Sequence, residues 1–129
     1  MNKGNKYIRA ASLKKNKKLY CKWVRLACQR HLNDLKKSKK ASYPYEFDED
    51  RAQLFIDFCS HVKHWQGEWV GQPFILEPWQ RAICGMIFGW VRKDNRRRRF
   101  QVAYIEVPRK NGKSFLCGAI CLFLQMFDN

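Results

Sequence analysis

Apolar residues recur at helical spacing through most of the chain, and this pattern predicts three helices before residue 92. From Leu13 to Lys37 the apolar stripe is wide and flanked by lysines, as expected for a helix that packs on one side. A second helix is predicted from Asp48, a good N-cap, to about His64. A third is predicted over Trp79–Val91, because Pro78 suits the first position of a helix. The inner face of the second helix is expected to hold Ala52, Phe55, Ile56, Cys59 and Val62.

The last third of the chain follows a different pattern. Val102 to Val107 is a mostly apolar run, and it predicts a buried strand that breaks at Pro108. Lys113 to about Phe127 is apolar nearly all round, which predicts a helix that needs burial on several sides. The loop between them ends in Gly-Lys-Ser at residues 112–114. This order of elements is that of a phosphate-binding loop, although Val107 replaces the first glycine of GxxxxGK[ST].

The residue types of this loop suit a bound phosphate. Backbone N–H groups of Lys110, Asn111 and Gly112, together with the free N–H groups of the following helix, can form an anion cradle. Lys113 can bring its ammonium group to the terminal phosphates, and Ser114 can offer its hydroxyl to a magnesium ion. The alternative is a basic turn that only connects a strand to a helix.

The net charge of +15 over 129 residues lies almost entirely in the first third of the chain. Residues 1–40 hold fourteen Lys and Arg against a single acid, Asp34, which leaves a net charge of +13. Such a field favours a polyanion, above all nucleic acid, and the alternative is a solvated arm that aids solubility. Residues 1–18 are expected to be flexible. A second basic stretch, Arg92 to Arg99, is interpreted either as a contact with a nucleic-acid backbone or neighbouring subunit, or as a solvated connection.

Gln80 is the second candidate for ligand recognition. It stands just inside the third predicted helix, after the short strand or extended segment predicted over residues 74–76. A glutamine amide can pair with the edge of a planar base through one donor and one acceptor. Most glutamines at this position instead cap the helix or face water.

The six cysteines and three histidines give no strong signal of a metal site. No CxxC pair is present, so we expect free thiols in a reducing cytosolic compartment. His31 and Asp34 lie one helical turn apart, and a packing or capping role for His31 is favoured over a metal or acid–base pair. His61 and His64 are interpreted as surface or interface residues. No apolar run approaches the roughly twenty residues that span a membrane.

With both candidate sites in view, the sequence resembles the large subunit of tailed-phage terminases from about residue 21 onward. The motifs that carry this resemblance are EVPRKNGKS (Glu106–Ser114), GEWVGQPFILEPWQ (Gly67–Gln80), FGW (Phe88–Trp90) and CQRHLNDL (Cys28–Leu35). A phosphate-binding loop that lacks its first glycine and carries an arginine before Gly-Lys-Ser is typical of that family, and Arg109 is that arginine here. The missing glycine therefore supports the resemblance.

The resemblance implies ATP and Mg²⁺ as ligands. By that resemblance Gln80 reads the adenine edge with Trp79 or Phe74 beside it, Lys113 holds the β- and γ-phosphates, Ser114 holds the metal, and Arg109 acts on the γ-phosphate. Phe115 completes the set of residues implied at the nucleotide. The implied partners are double-stranded DNA, the terminase small subunit and the portal, with oligomerisation of the full-length parent and no membrane. The implied location is the cytoplasm of the host bacterium, with a virus or prophage as the source.

The chain also departs from the family. After Ser114 the only acid is Asp128, so the second strand with acids for magnesium and water, the coupling motif and the nuclease domain are not recognisable. The expected fold is α/β: N-terminal helices followed by one β–P-loop–α unit with an incomplete parallel sheet. The expected divisions are a basic flexible arm (1–18), a helical region with the adenine-type motif (19–91), and the basic turn with the first β–P-loop–α unit of a truncated ATPase domain (92–129).

The expected function is that of an N-terminal fragment of a DNA-packaging motor that binds nucleotide at most, so enzymatic activity of this chain is left open. Three alternatives remain: a basic nucleic-acid-binding module, a fragment of another P-loop ATPase such as a helicase, and a remnant that does not fold alone.

Overall fold

The computed structural model describes residues 3–64 and 67–127 of the chain. The helices and strands are, in chain order, α1 (Lys3–Ser12), a 3₁₀ turn (Lys14–Asn16), α2 (Lys22–Lys37), β1 (Tyr45–Phe47), α3 (Glu49–His61), α4 (Pro78–Gly89), β2 (Trp90–Arg92) and α5 (Lys113–Phe127). Helix α4 lies against both α1 and α3, and α2 packs on α1. No helix in the described ranges is long and apolar enough to cross a membrane.

The N-terminal segment is more ordered than the sequence indicates. Helix α1 occupies most of the region expected to be a flexible arm, and Ile8 and Ala11 are buried where it meets α4. A Cβ added at Gly4 would lie 3.2 Å from the backbone nitrogen of Ala82, so the two helices approach closely there. The helix predicted from Leu13 begins only at Lys22, because the lysine-rich stretch before it forms the 3₁₀ turn.

Local capping signals explain where α3 and α4 begin. The Asp48 side chain accepts a hydrogen bond from the backbone N–H of Arg51 at 2.9 Å, as predicted for an N-cap. Pro78 occupies the first turn of α4, where a missing N–H costs nothing. Helix α3 buries four of its predicted inner residues, namely Ala52, Phe55, Ile56 and Cys59.

The sheet is small and antiparallel. β1 pairs with β2 in a register that places Tyr45 opposite Arg92 and Phe47 opposite Trp90. A Cβ added at Gly89 would collide with the ring of Phe47, so only glycine fits at the end of α4. Residues 97–99 fold back along β2, with the Arg99 backbone N–H donating to the carbonyl of Trp90 at 2.8 Å. The parallel sheet expected from the sequence is not formed by the described residues.

The segment predicted as a buried strand has no regular secondary structure and is largely exposed. Residues 102–107 form no strand in the described part of the chain, and Val102 and Tyr104 are 90% and 87% exposed. A strand gains stability only from hydrogen bonds and side-chain contacts with a neighbour. The sheet of β1 and β2 offers none to these residues. The predicted buried strand is therefore wrong for these residues, because they have no strand beside them in the described part of the chain.

Helix α5 closes one side of the aromatic core. Leu116, Ala119 and Phe123 are buried, and the Phe123 ring packs edge-on against those of Phe55 and Phe88. The opposite face carries exposed residues, among them Cys117, Leu122 and Met126. The expectation that this helix is buried on several sides is thus met on one side only.

Candidate nucleotide site

The loop of residues 108–114, called here the GKS loop, has an unusual backbone. Lys110 and Gly112 both have positive φ, 65° and 67°, and Asn111 between them does not. Alternation of this kind turns successive N–H groups toward one side and forms a concave nest for an anion. The Asn111 side chain stabilises the turn by donating to the carbonyls of Pro108 and Arg109, at 3.3 and 3.1 Å.

The GKS loop leads directly into α5. Lys113 is the first residue of the helix, and the Leu116 backbone N–H donates to the Gly112 carbonyl at 3.0 Å. The first N–H groups of a helix have no partner within it, and its dipole places positive potential there. Lys113 and Ser114 are exposed at this end. Within residues 3–64 and 67–127, neither Lys113 nor Arg109 forms an ion pair. Backbone nest, helix terminus and free cations together fit a phosphate group.

Gln80 is buried, 3% exposed, and lies beside the GKS loop. Its side-chain carbonyl accepts from the backbone N–H of Glu77 at 2.8 Å, and the Glu77 side chain in turn accepts from the backbone of Gln80. This is the capping role that the sequence left open. The amide nitrogen Nε2 would lie 3.8 Å from a Cβ added at Gly112. The fold therefore brings together two predicted site residues that are far apart along the chain.

Aromatic packing holds these two parts in register. Phe74 is buried, and its ring centroid is 4.5 Å from that of Phe115, the residue after Ser114. The His64 ring stacks on Phe115 at 4.6 Å with an interplanar angle of 27°. Phe74 and Phe115 thus serve the core and fix the start of α5. Trp79 is half-buried.

His64 was missed as a neighbour of this site. The sequence indicated a surface or interface histidine, since no chemical partner stands near it along the chain. The Phe74 backbone N–H donates to the Val62 carbonyl at 2.8 Å, and that of His64 donates to Gln72 at 2.9 Å. This pairing of distant backbone segments places the ring on Phe115, and no local sequence signal reveals it.

His31 is a packing residue, as predicted. Its Nδ1 accepts from the indole N–H of Trp90 at 3.0 Å, and Phe47 packs edge-on against the imidazole ring. Burial lowers the pKa of His31 to about 4, so the ring is neutral at physiological pH. These contacts give the His31 ring a packing role against β1 and β2.

The arginines of the basic turn are largely engaged within the protein. Arg99 donates to the buried Asp34 carboxylate at 2.8 Å, and its guanidinium lies 4.6 Å from the ring centroid of Tyr45. Hydrogen bonds from Arg99 and Tyr43 hold the pKa of the Asp34 carboxyl below its usual range, against the effect of burial. Arg96 pairs with both Glu46 and Asp48. Neither interpretation offered by the sequence describes Arg96 and Arg99, which tie the turn to β1 and α2.

Thiols and carboxylates give no metal site in the part of the chain that the structure describes. Within residues 3–64 and 67–127 no three His, Cys, Asp or Glu side chains gather closely enough to hold an ion. The cysteines are free, and burial raises the pKa of Cys28 to about 11 and of Cys59 to about 12. They behave as small apolar side chains.

Comparison with known families adds to this geometry. A buried glutamine that lies beside a backbone nest at the start of a helix is a candidate nucleotide-binding site. Residues 78–129 match the family model described as the terminase large subunit, ATPase domain. The match confirms the resemblance over these residues, which are similar to that domain. It spans α4, β2, the GKS loop and α5. The comparisons with curated proteins and with solved structures find no significant match.

Proposed function

We propose that this chain is the nucleotide-binding front part of a terminase motor that uses ATP to drive DNA into a viral procapsid. The observation that carries this proposal is the juxtaposition of Gln80 with the GKS loop, its amide nitrogen 3.8 Å from the Cβ position of Gly112. The match of residues 78–129 to the terminase ATPase domain supports it. A purely structural glutamine would not need to lie against a phosphate-type loop.

Gln80 can cap α4 and recognise adenine at the same time. Its carbonyl oxygen has two lone pairs, and the Glu77 N–H uses one of them. The second lone pair can accept from the exocyclic amino group of adenine, while Nε2 donates to the ring nitrogen beside it. The capping bond then fixes the orientation of the amide. We propose that half-buried Trp79 packs near the base, and that Phe115 shapes the site through its contact with Phe74.

The phosphates are proposed to lie in the nest of the GKS loop. Backbone N–H groups at Lys110, Asn111 and Gly112 would hold their oxygens, with Lys113 at the β- and γ-phosphates. Arg109 is the proposed contact of the terminal phosphate. The hydroxyl of Ser114 is the proposed Mg²⁺ ligand, and the bound ion would neutralise charge between the phosphates.

Residues 102–107, which form no strand in this structure, are proposed to become a strand of a parallel sheet when neighbouring strands are supplied. The phosphate-binding unit would then be the first β–loop–α element of an ATPase domain. Double-stranded DNA, the terminase small subunit and the portal are the proposed partners of the parent, which we place in the host cytoplasm as an oligomer.

A binding experiment tests the nucleotide site. We expect the purified 129-residue chain to bind a fluorescent ATP analogue with Mg²⁺, and Lys113→Ala to weaken this binding by at least about tenfold. Lys36→Ala is the matched control, since Lys36 is an exposed lysine near the end of α2. Equal affinity of wild type and Lys113→Ala would contradict the proposal.

Turnover is expected to be weak or undetectable in this chain. No acid other than Asp128 follows Ser114 to activate water. Phosphate release should therefore stay near the background rate even at saturating nucleotide. Robust magnesium-dependent hydrolysis that disappears in Lys113→Ala would show that this prediction is wrong.

A further inference from the structure

A strongly basic surface lies near the start of the sequence, where the chain passes from α1 to α2. We call residues 13–23 the basic knuckle. It is built on the 3₁₀ turn, and the Asn16 side chain anchors it by donating to the Ala10 carbonyl at 2.8 Å. The Leu19 backbone N–H donates to the Asn16 carbonyl at 2.9 Å. The knuckle therefore has a defined shape, in contrast to the flexible arm that composition suggests.

Positive charge on the basic knuckle is not neutralised by the protein. Its five lysines are all exposed, namely Lys14, Lys15, Lys17, Lys18 and Lys22. No acid occurs in the sequence before Asp34, which is buried and paired with Arg99. In the described ranges of the chain none of these five lysines forms an ion pair. Clustered free lysines of this kind complement a polyanion.

Large apolar side chains stand among these lysines. Leu19 is 77% and Trp23 is 73% exposed, although both follow the helical spacing expected for a core. The Lys22 ammonium group lies 5.3 Å from the centroid of the Trp23 ring. An exposed tryptophan beside free lysines offers a stacking plane next to phosphate contacts.

We infer that the basic knuckle binds single-stranded nucleic acid, with its lysines on the phosphates and Trp23 stacked on an unpaired base. A duplex hides its base faces, so it could use the lysines but not the indole ring. The inference deepens the DNA-handling part of the proposed function, on which it rests, by giving it a surface away from the nucleotide loop.

An anionic membrane is the competing partner, because lysines with exposed Leu and Trp also suit a lipid surface. The position of Lys22 argues against it. Inserting the Trp23 ring among acyl chains would break its contact with the Lys22 ammonium group, because that charged group must stay at the lipid headgroups. Stacking on a base leaves that ammonium group beside a phosphate.

The central experiment compares single-stranded and duplex DNA. Binding of the full chain to a fluorescent oligothymidine is measured by anisotropy, with a duplex of equal length alongside. Trp23→Leu keeps an apolar side chain but removes the stacking plane. We expect it to lower single-strand affinity by about 5- to 150-fold, the range for one stacked base, and to leave duplex affinity within about twofold.

Salt dependence tests the lysines separately. In Lys15→Gln/Lys18→Gln the slope of log K against log salt for the single strand should fall by roughly 0.7 for each phosphate that is no longer neutralised. Lys36→Gln/Lys39→Gln, with the same charge change near the end of α2, is the matched control and should keep the slope. If the two double variants had the same salt slope, the lysines of the basic knuckle would contribute no more to binding than other surface lysines. That result would overturn the inference.

Two further outcomes would also overturn it. One is unchanged single-strand affinity in Trp23→Leu, checked to be folded by circular dichroism. The other is tight binding to phosphatidylserine vesicles, retained by Trp23→Leu, without binding to the oligonucleotide. Lys113→Ala should leave oligonucleotide binding unchanged, so failure of the nucleotide site and failure of the basic knuckle are separately visible.

Discussion

Two groups of basic residues in this protein carry the same charge, but among the described residues only one group is paired with carboxylates. Arg96 and Arg99 of the basic turn reach carboxylates that the fold holds in place. Arg109 and Lys113 of the GKS loop reach no carboxylate among the described residues. The first pair stabilises the junction of α2, β1 and β2, and the second is free to meet a ligand. Whether a basic side chain has a carboxylate within reach, and not whether it is Arg or Lys, decides if it stabilises the fold or is available to a ligand.

The largest expected loss of stability comes from removing one of the paired arginines. Arg99→Ala leaves the Asp34 carboxylate buried without its main partner, which costs about 3–5 kcal/mol of unfolding free energy. Exposed Arg97 is the matched control, and Arg97→Ala should change stability by no more than about 0.5 kcal/mol. Urea unfolding followed by circular dichroism measures both. Similar midpoints for the two variants would remove the distinction between engaged and free arginines.

Acid should destabilise the same junction through His31. Its pKa is about 4 in the folded protein against 6.5 ordinarily, so the unfolded chain binds the extra proton between these values. Stability attributable to His31 is therefore fully present above pH 6.5 and falls as the pH is lowered toward 4, by about 2 kcal/mol between pH 7 and pH 5. His31→Gln keeps an acceptor for Trp90 and removes this titration. The difference between the urea midpoints at the two pH values should then be smaller in His31→Gln than in the wild type.

Gln80 belongs both to the cap of α4 and to the proposed nucleotide site. Its loss should therefore change both protein stability and nucleotide binding. Gln80→Ala leaves the Glu77 N–H without its partner and removes a capping box, which costs about 1 kcal/mol. The same change should abolish any preference for ATP over GTP. A competition assay with unlabelled nucleotides measures that preference. A stability loss with unchanged selectivity would restrict Gln80 to its capping role.

The smallest expected stability effect lies at the GKS loop itself. Lys113→Ala removes an exposed side chain that forms no ion pair within the described ranges, so unfolding free energy should stay within about 0.5 kcal/mol. Affinity for the fluorescent ATP analogue should nevertheless fall. A stability loss comparable to that of Arg99→Ala would show that Lys113 has a structural partner after all.

Local signals in the sequence were reliable. Asp48 as a cap and Pro78 at the first turn of α4 were predicted correctly, because each effect depends on neighbours within one turn. Helix α1 was missed because its ten residues include Gly4 and few apolar positions. Burial of Ile8 and Ala11 against α4 stabilises it, and α4 is far away along the chain.

The sequence by itself determined the starts of α3 and α4, the concentration of charge in residues 1–40, the terminase-type motifs and the residue types of the GKS loop. Tertiary structure alone decided which of these charges are free. It paired Arg99 with Asp34 and laid Gln80 beside Gly112. It left Val102 and Tyr104 exposed because no strand lies next to them in the described part of the chain. Capping and helix propensity act over a few residues, whereas ion pairing, burial and strand pairing depend on segments that only folding brings together.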